Sequence, residues 1–514
     1  MRPILPAVLA AAVSLSVAQP TLRIHATGGG FFDSFGRWRL FHGFNDVGSS
    51  KGSGHTPGGA AYLPKHVLIP ALAQQLQELG FNALRMPAMW SGAMPGPDTI
   101  DAQYLATLSA GVDALGARGI YSVLDMHQDV LSSKFGGYDG APLWLVNRST
   151  PRKPYPFPFK PPLASWSEGY LAEAVGQAFQ DIYDNKHGGL DAWRRFWSAV
   201  ATEFKGHTAV LGYELINEPW AGDVWAEPTR LLPGVAGGSN LLPAYDSLST
   251  TISEVDDETI IFYEPVTWGV VLPGSSAGTG TGFSRAPNGT ASRSALSYHY
   301  YCWFGPIDGP GGNLPFKPTT RRECDQLLGP EVFRTAVHDA ERVGSAGFLT
   351  EFGAQTPNIT LPNATETAQL LWILDVADRQ LQSWTYWDIS SLVAPGNTGF
   401  KMDNMLAFVR VYASAVAGTP LSMRFDREAR TFDLSFRTSP AITAPSIIVV
   451  PSIIYPVPSH EGYGYTVMCT PSSVVWERSE DSLTVLVHNP PAGGGDPINV
   501  HVHIVPTHSA HVAA

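Results

Sequence analysis

The sequence predicts a (β/α)8 barrel of the TIM type followed by a small C-terminal β-sandwich. Three observations carry that prediction. Eight short apolar segments, each ending in polar or charged residues, alternate with helical patterns. No Gly-x-Gly-x-x-Gly follows the first of them, which sets aside an open dinucleotide-binding sheet. After Pro420 the pattern changes to strict alternation, as at Phe432, Leu434 and Phe436. A chain of 514 residues accommodates an N-terminal targeting segment (1–18), a barrel (19–418) and a sandwich (419–514).

The elements read off in order. After a Gly-rich hairpin, Trp38–Asn45 is the first strand. Leu68, Leu72, Leu76 and Leu79 then share one helix face, with Gly80 as the C-terminal stop. Phe81–Met86 is the second strand. The helix after it carries Leu105, Leu108, Val112 and Leu115 and closes at Gly119. Ile120–Asp125 is the third strand. An insertion rich in proline and aromatics runs from Ser132 to about Ala164. Trp193, Phe196, Trp197, Val200 and Phe204 recur at helical spacing and read as core rather than as a sugar platform. Val210–Leu215, Ile260–Glu264, Leu296–Tyr300, Gly347–Glu351 and Ser383–Trp387 are strands four to eight, with helices at Leu241–Val255, Glu331–Val343 and Thr365–Gln380. The sandwich strands are expected around Phe432–Phe436, at Ile447–Val450, Tyr463–Met468, Leu483–Val487 and Ile498–Val505.

Composition narrows the function. The net charge is −12 and no basic block appears, which argues against a nucleic-acid partner. Arg2, the apolar run Ile4–Val17 and small residues at Ser16 and Ala18 read as a secretory signal peptide, too short to span a bilayer. Acceptor sequons at Asn147, Asn288, Asn358 and Asn363 point the same way, to a secreted or lysosomal glycoprotein. With three cysteines the chain is not a disulfide scaffold, but Cys302 and Cys324 are placed to pair across one loop in an oxidising compartment. That leaves Cys469 as an apolar thiol. No cofactor motif and no zinc spacing is present. His501, His503, His508 and His511 crowd the C-terminus, and the first two share one face of what reads as an unpaired surface strand rather than a metal site.

In a barrel the chemistry sits at the C-terminal ends of the strands. Those ends carry Arg85, Asp125-Met126-His127-Gln128-Asp129, Asn217-Glu218-Pro219, His299-Tyr300-Tyr301, Glu351-Phe352-Gly353 and Trp387-Asp388. Glu218 and Glu351 lie on strands four and seven, which face each other across the mouth. Two such carboxyls are what glycoside hydrolysis requires, one protonated and one ionised. Asn217 can hold a sugar hydroxyl. Arg85 and Tyr301 can keep Glu351 ionised by donating to it.

Taken together, Asn217-Glu218-Pro219, Thr350-Glu351-Phe352-Gly353, Arg85, His127, the His299-x-Tyr301 pair and Trp387 resemble glycoside hydrolase family 5 of clan A, over about residues 30–415. The resemblance implies Glu218 as acid/base, Glu351 as nucleophile, net retention and a covalent glycosyl-enzyme. Ser49-Ser50-Lys51 with Leu124–Asp129 is similar, more narrowly, to endoglycoceramidases and their glucosylceramidase relatives. That resemblance implies Lys51 and Asp129 as ligands of the first sugar, a glycosphingolipid substrate and transient contact with a membrane or micelle. Phe352, Trp384, Trp387, Leu392, Val393 and Phe400 are then candidates for an apolar ceramide groove. The long loop after strand six and the proline-rich insertion depart from the pattern and leave the substrate open. An endo-β-glucanase or mannanase of the same fold is the alternative enzyme. A non-catalytic sugar-binding protein is the third reading, which has no need of both glutamates.

Overall fold

A computed structural model describes residues 21–47, 61–137, 140–267, 280–290, 292–302, 317–353, 356–456, 464–479, 483–490 and 496–507. The expected signal segment, Lys51, His508 and His511 lie outside the described residues. The chain opens with three antiparallel strands, β1 (Ile24–Thr27), β2 (Gly30–Asp33) and β3 (Trp38–Arg39). Eight parallel strands follow: β4 (His42–Asn45), β5 (Ala83–Pro87), β6 (Tyr121–Asp125), β7 (Val210–Glu214), β8 (Ile260–Tyr263), β9 (Ser294–Tyr300), β10 (Ala346–Phe352) and β11 (Ser383–Tyr386). They close into a barrel in chain order, with β11 hydrogen-bonded back to β4.

The barrel strands are short and buried on both faces because helices cover them outside and side chains fill them inside. The covering helices match the expected stripes. Pro70–Glu78 begins on a proline at its first turn and buries Leu72, Ala73 and Leu76. Ala102–Gly116 is capped by the Asp101 carboxylate, which accepts from the Tyr104 N–H. Gly189–Phe204 buries Trp193, Phe196, Trp197, Val200 and Phe204, the stripe read as core. A helix at Glu173–Tyr183 was not expected from the sequence, although Val175, Ala178, Phe179 and Ile182 line its buried face. Gly212 in β7 is required by a close approach: a Cβ there would lie 2.3 Å from the Phe262 ring.

The expected first strand, Trp38–Asn45, is two strands. Trp38–Arg39 pairs outside the barrel and His42–Asn45 inside it. The hairpin β1–β2 closes the N-terminal end of the barrel. Phe31 projects from it onto Phe41, Phe262 and Phe348, with ring centroids 5.6, 6.1 and 5.9 Å away. Ile24, Ala26, Tyr121, Val123, Leu211 and Ile260 complete this apolar plug. Solvent and substrate therefore meet the barrel at its other end.

Eight further strands form the C-terminal unit: β12 (Tyr412–Val416), β13 (Gly418–Asp426), β14 (Thr431–Thr438), β15 (Ser446–Val449), β16 (Tyr465–Thr470), β17 (Val475–Arg478), β18 (Thr484–His488) and β19 (Asn499–Pro506). They make two antiparallel sheets. The larger is ordered β1-β2-β3-β12-β15-β18-β17, so it recruits the N-terminal strands, and the smaller is β13-β14-β19-β16. Phe432, Leu434, Phe436, Val500, Val502 and Ile504 are fully or almost fully buried, as the alternation required. The strand bearing His501 and His503 is not an unpaired one. It lies between β14 and β16, and both histidines flank Asp433, at 3.2 and 2.7 Å.

Phe31 joins the hairpin, and with it the larger sheet, to the barrel floor. Phe31→Ala should lower unfolding stability by about 3–5 kcal/mol, the usual cost of deleting a fully packed aromatic, with catalytic constants in folded protein unchanged. Urea unfolding followed by circular dichroism, alongside kinetics on the same samples, checks this.

Candidate active site

The C-terminal ends of the barrel strands converge on one guanidinium. Arg85, in the middle of β5, is completely buried. Its Nε donates to Glu214 Oε2 at 2.5 Å. One terminal nitrogen, Nη1, donates to Asn45 Oδ1 at 3.0 Å and to Glu351 Oε2 at 3.2 Å. The other, Nη2, donates to Asn217 Oδ1 at 2.8 Å and lies 3.2 Å from Asp125 and 3.5 Å from Glu264. Burial would lower the Arg85 pKa, but the carboxylates of Asp125, Glu214, Glu351 and Glu264 hold it well above its ordinary value. It is a permanent cation at the floor of the mouth.

Above it stand Glu218 and Glu351. An oxygen of each, together with a ring nitrogen of His299, falls within 4.8 Å of the others. His299 Nδ1 is 2.9 Å from Glu218 Oε1 and 3.9 Å from Glu351 Oε2. Tyr301 donates its hydroxyl to Glu351 Oε1 at 2.5 Å. Glu351 thus receives two donors, Arg85 and Tyr301, one on each oxygen.

Protonation in this cluster is shared. Burial would depress His299, but Glu264, Glu351 and Glu218 raise it well above the ordinary imidazole value. Burial raises Glu218, and the hydrogen bond and charge of His299, aided by Arg85, outweigh it, so its carboxyl sits below the usual range. The proton shared by His299 Nδ1 and Glu218 Oε1 is therefore favoured on the imidazole. Burial, reinforced by the charge of Glu218, lifts Glu351 above the usual carboxylate range against His299 and Arg85.

The other expected residues surround this pair. His127 Nδ1 lies 2.7 Å from Asp125 Oδ2, and burial together with the Arg85 charge pushes its pKa down to about 3. The ring is therefore neutral, and donation from Nδ1 to Asp125 makes Nε2 the acceptor. Trp387 stacks on that ring at 5.1 Å. The Asn217 amide donates to the Gln128 carbonyl at 2.9 Å, which leaves its second N–H for a ligand. Asp129 is buried at the end of β6, with its charge facing Tyr170. Cys302 and Cys324 are joined as a disulfide at the base of the loop after β9, with Cα atoms 5.5 Å apart. Cys469 remains a thiol, pushed up to about 11 by burial.

Several contributors escaped the sequence reading. Asn45, Glu214 and Glu264 end β4, β7 and β8 or directly follow them, and all three contact Arg85. The rule that found the others, polar residues at strand ends, applies to them equally. Gln128 was noticed without a task; its amide donates to the carbonyls of Asn217 and Glu218 at 2.6 and 2.9 Å and fixes that turn. One expectation is overturned. Leu392, Val393 and Phe400, taken as a ceramide groove, are at most 7% exposed, as are Phe352 and Trp384. They pack the barrel interior and its loops, so no groove is lined by them.

Comparison with known proteins agrees with this geometry. The family model "Cellulase (glycosyl hydrolase family 5)" matches residues 47–392, and "Glycoside hydrolase family 5 C-terminal domain" matches residues 410–502. The chain belongs to glycosyl hydrolase family 5. Within the family it is 34% identical to an endoglycoceramidase of Cyanea nozakii, over 88% of each chain. It is 32% identical to one of Hydra vulgaris, over 79% of this chain and 76% of the other. The solved structure of endo-glycoceramidase II from Rhodococcus sp. is 25% identical, with a TM-score of 0.72 over 93% of this chain and 99% of that one. The family 5 barrel and its C-terminal domain are thus both present, with all eight barrel strands closed.

The two charge states generate a pH expectation. With Glu351 as nucleophile and Glu218 as acid, the roles the family resemblance implies, turnover would need Glu351 ionised and the His299–Glu218 proton in place. The acid limb of kcat/KM should therefore lie above the ordinary glutamate value of 4.5, and the basic limb above the ordinary histidine value of 6.5. Tyr301→Phe removes a donor to ionised Glu351, so the acid limb should move to higher pH, with kcat/KM falling about 10–150-fold. pH–rate profiles on a soluble aryl β-glycoside measure both.

Proposed function

We propose that this chain is a retaining β-glycosidase that cleaves the bond between sugar and ceramide in glycosphingolipids. The observation that carries the mechanism is how near Glu218 and Glu351 stand, with one oxygen of each within 4.8 Å of the other, too near to leave room for a water between them. Retaining pairs stand about 5–5.5 Å apart, whereas inverting pairs need about 6.5–9.5 Å to admit a water. Glu351 attacks the anomeric carbon as the bond to the glycosidic oxygen breaks. Glu218 passes to that oxygen the proton it shares with His299 across 2.9 Å, which leaves Glu218 ionised. In the second step Glu218 takes a proton from water, whose oxygen displaces Glu351 from the sugar. Arg85 and Tyr301 hold the Glu351 carboxylate ready for attack and receive it again as leaving group.

His127, Asn217, His299, Tyr301, Asp129 and Trp387 line the sugar side. Trp387 offers a ring face already oriented by the neutral His127 ring. Lys51 is given a sugar-holding role from the sequence alone.

The ceramide assignment draws on the endoglycoceramidase relatives and on a surface the buried groove residues do not supply. Phe157 and Leu171, in the connection after β6, and Trp225, Leu231, Leu232 and Val235, in the connection after β7, are between 36 and 57% exposed. The Phe157 and Trp225 rings lie 5.7 Å apart, and Trp225 Nε1 donates to the Leu171 carbonyl at 3.1 Å. Strand-to-helix connections emerge at the catalytic end of a barrel, so this apolar patch lies on the same end as the acids. Lys153 sits 5.8 Å from the Phe157 ring, a cation beside an apolar face, as suits a lipid surface. Secretion fits the Cys302–Cys324 disulfide and sequons that are exposed at Asn147, Asn288 and Asn363 and half-exposed at Asn358.

Three experiments test the reading. Glu351→Gln should abolish turnover. Glu218→Ala should retain cleavage only of substrates with good leaving groups and be accelerated by azide, which needs no general base; absence of that rescue removes the acid/base assignment. A panel of glycosphingolipids read by mass spectrometry should give ceramide plus intact oligosaccharide. Glucose from glucosylceramide alone marks the glucosylceramidase alternative, and equal rates on cello- or manno-oligosaccharides reject the lipid reading. Leu231→Asp with Leu232→Asp should lower kcat/KM on vesicle-embedded glycosphingolipid about tenfold or more and leave a soluble aryl glycoside unaffected.

A further inference from the structure

Each acid around Arg85 has a task but one. Asp125 orients His127, Glu214 anchors the guanidinium, and Glu218 and Glu351 carry the proposed chemistry. Glu264, just beyond the end of β8, is almost completely buried and faces the back of the same pair. Its two oxygens divide their contacts. Oε2 accepts the backbone N–H of Glu218 at 3.1 Å. Oε1 lies 3.2 Å from His299 Nε2, a charge contact without the alignment of a hydrogen bond. The other ring nitrogen of His299 is the one 2.9 Å from Glu218 Oε1. Glu264, His299 and Glu218 therefore form a closed circuit, from carboxyl to imidazole to the side chain of Glu218 and back through its own main chain.

The main-chain contact matters because Glu218 has φ +41°. A non-glycine residue occupies that region only where surrounding groups hold it there. Gln128 and Thr267 bond the Glu218 carbonyl at 2.9 and 3.2 Å, while Glu264 takes the N–H. The peptide is thus gripped from both sides, and one grip is a carboxyl that also touches the imidazole.

We propose that Glu264 is a positioning residue for the acid/base step: it holds the strained turn of Glu218 and the far side of His299 together, so that Nδ1 stays aimed at Glu218 and the shared proton stays in that pair. The inference rests on the reading of Glu218 as the acid/base.

Every element around Glu264 bears on its charge. Arg85 faces it from β5, Glu214 from β7 and His299 from β9. Asp125 at the end of β6, His127 just after it and Glu351 of β10 stand beyond Arg85 and His299. Tyr245, from the helix Leu242–Ser253, donates to the Glu264 main-chain carbonyl at 2.8 Å. Arg85 and a protonated His299 are the cations facing these carboxyls among the described residues. Burial, helped by Glu214, holds the Glu264 carboxyl up near about 8 against His299 and Arg85. As pH rises through that value a negative charge appears beside His299 and favours the imidazolium. A glutamine supplies no such charge, so the pair should lose its proton at lower pH.

The test uses Glu264→Gln in the full chain, with circular dichroism to confirm folding. On phenyl β-lactoside, whose leaving group needs the acid, the basic limb of kcat/KM should move down by about one pH unit, a tenfold loss on that limb. The first step on 2,4-dinitrophenyl β-lactoside, which needs no acid, should change less than about threefold. Nitrogen-15 imidazole spectra, with His299 assigned by its absence in His299→Ala, give a readout that requires no turnover. The His299 midpoint should fall by about one unit in Glu264→Gln. An unchanged midpoint, or an equal loss at every pH and with both leaving groups, overturns the proposal and leaves Glu264 a packing residue. Failure of azide to rescue Glu218→Ala would instead overturn the acid/base reading, independently of the imidazole midpoint.

Discussion

The constraint on which the rest depends is a single buried cation with too many anions. Arg85 has no solvent to turn to, and a buried guanidinium is tolerated only when its donors are matched. The barrel matches them with acids from β6, β7, β8 and β10 or their ends, together with the amides of Asn45 and Asn217. A lysine ammonium, with three donors at one point, does not reach partners spread over that many strands, whereas the planar fork of arginine does. Because the acids outnumber the cations, not all can be ionised together. Protons have to be kept inside the cluster, and their distribution between His299, Glu218 and Glu264 is the raw material of acid–base catalysis.

That arrangement costs stability, and the fold recovers it elsewhere. At the opposite end of the barrel the hairpin of β1 and β2 drives Phe31 into a wholly apolar plug. Along one side the C-terminal unit packs on the barrel. Tyr412 of β12 stacks on His42 of β4 at 3.8 Å, and His42 stacks on Trp384 of β11 at 4.6 Å. Arg410 pairs with buried Asp378 of the helix Thr365–Arg379, and Arg427 donates to the carbonyls of Leu406, Ala407 and Val409. The β3–β12 pairing also ties the first strands of the chain to the last domain. Function and stability thus occupy different parts of one barrel.

What was legible in the sequence follows from how local each signal is. Barrel strands are apolar runs ended by polar residues, and their helices carry stripes at 3.6-residue spacing, so all eight strands and most helices could be read. Glu218, Glu351, Arg85, His127, His299 and Trp387 sit in short strings at strand ends and were legible for the same reason. The N-terminal hairpin was legible from its glycines, but its place in the C-terminal sheet was not, because strands of four residues and fewer carry no period and the partners across that sheet lie almost four hundred residues away, as with Trp38 and Val416. Leu392, Val393 and Phe400 were misread because an apolar residue in a loop looks the same whether it meets a ligand or the protein's own core. Glu264 was passed over because its meaning lies in contacts with β5, β7 and β9 that no stretch of sequence displays.

The position of Glu218 shows why such a site resists reading from motifs alone. Asn217-Glu218-Pro219 identifies the residue but not its left-handed backbone. That conformation is unfavourable on its own and persists because Gln128, Thr267 and Glu264 bond the peptide on either side. Two of those three partners, Thr267 and Glu264, are side chains with no recognisable motif role, and both follow β8. The Asn217 side chain is bound to Arg85 while its main chain is bound by Gln128, so the cation, the turn and the acid are mechanically one unit. A shift in any of the three would change the direction of the Glu218 carboxyl as well as its charge. Orientation and protonation of the proposed acid are therefore set by the same contacts, and substitutions at the supporting positions should be judged by pH profile and leaving-group dependence as much as by rate.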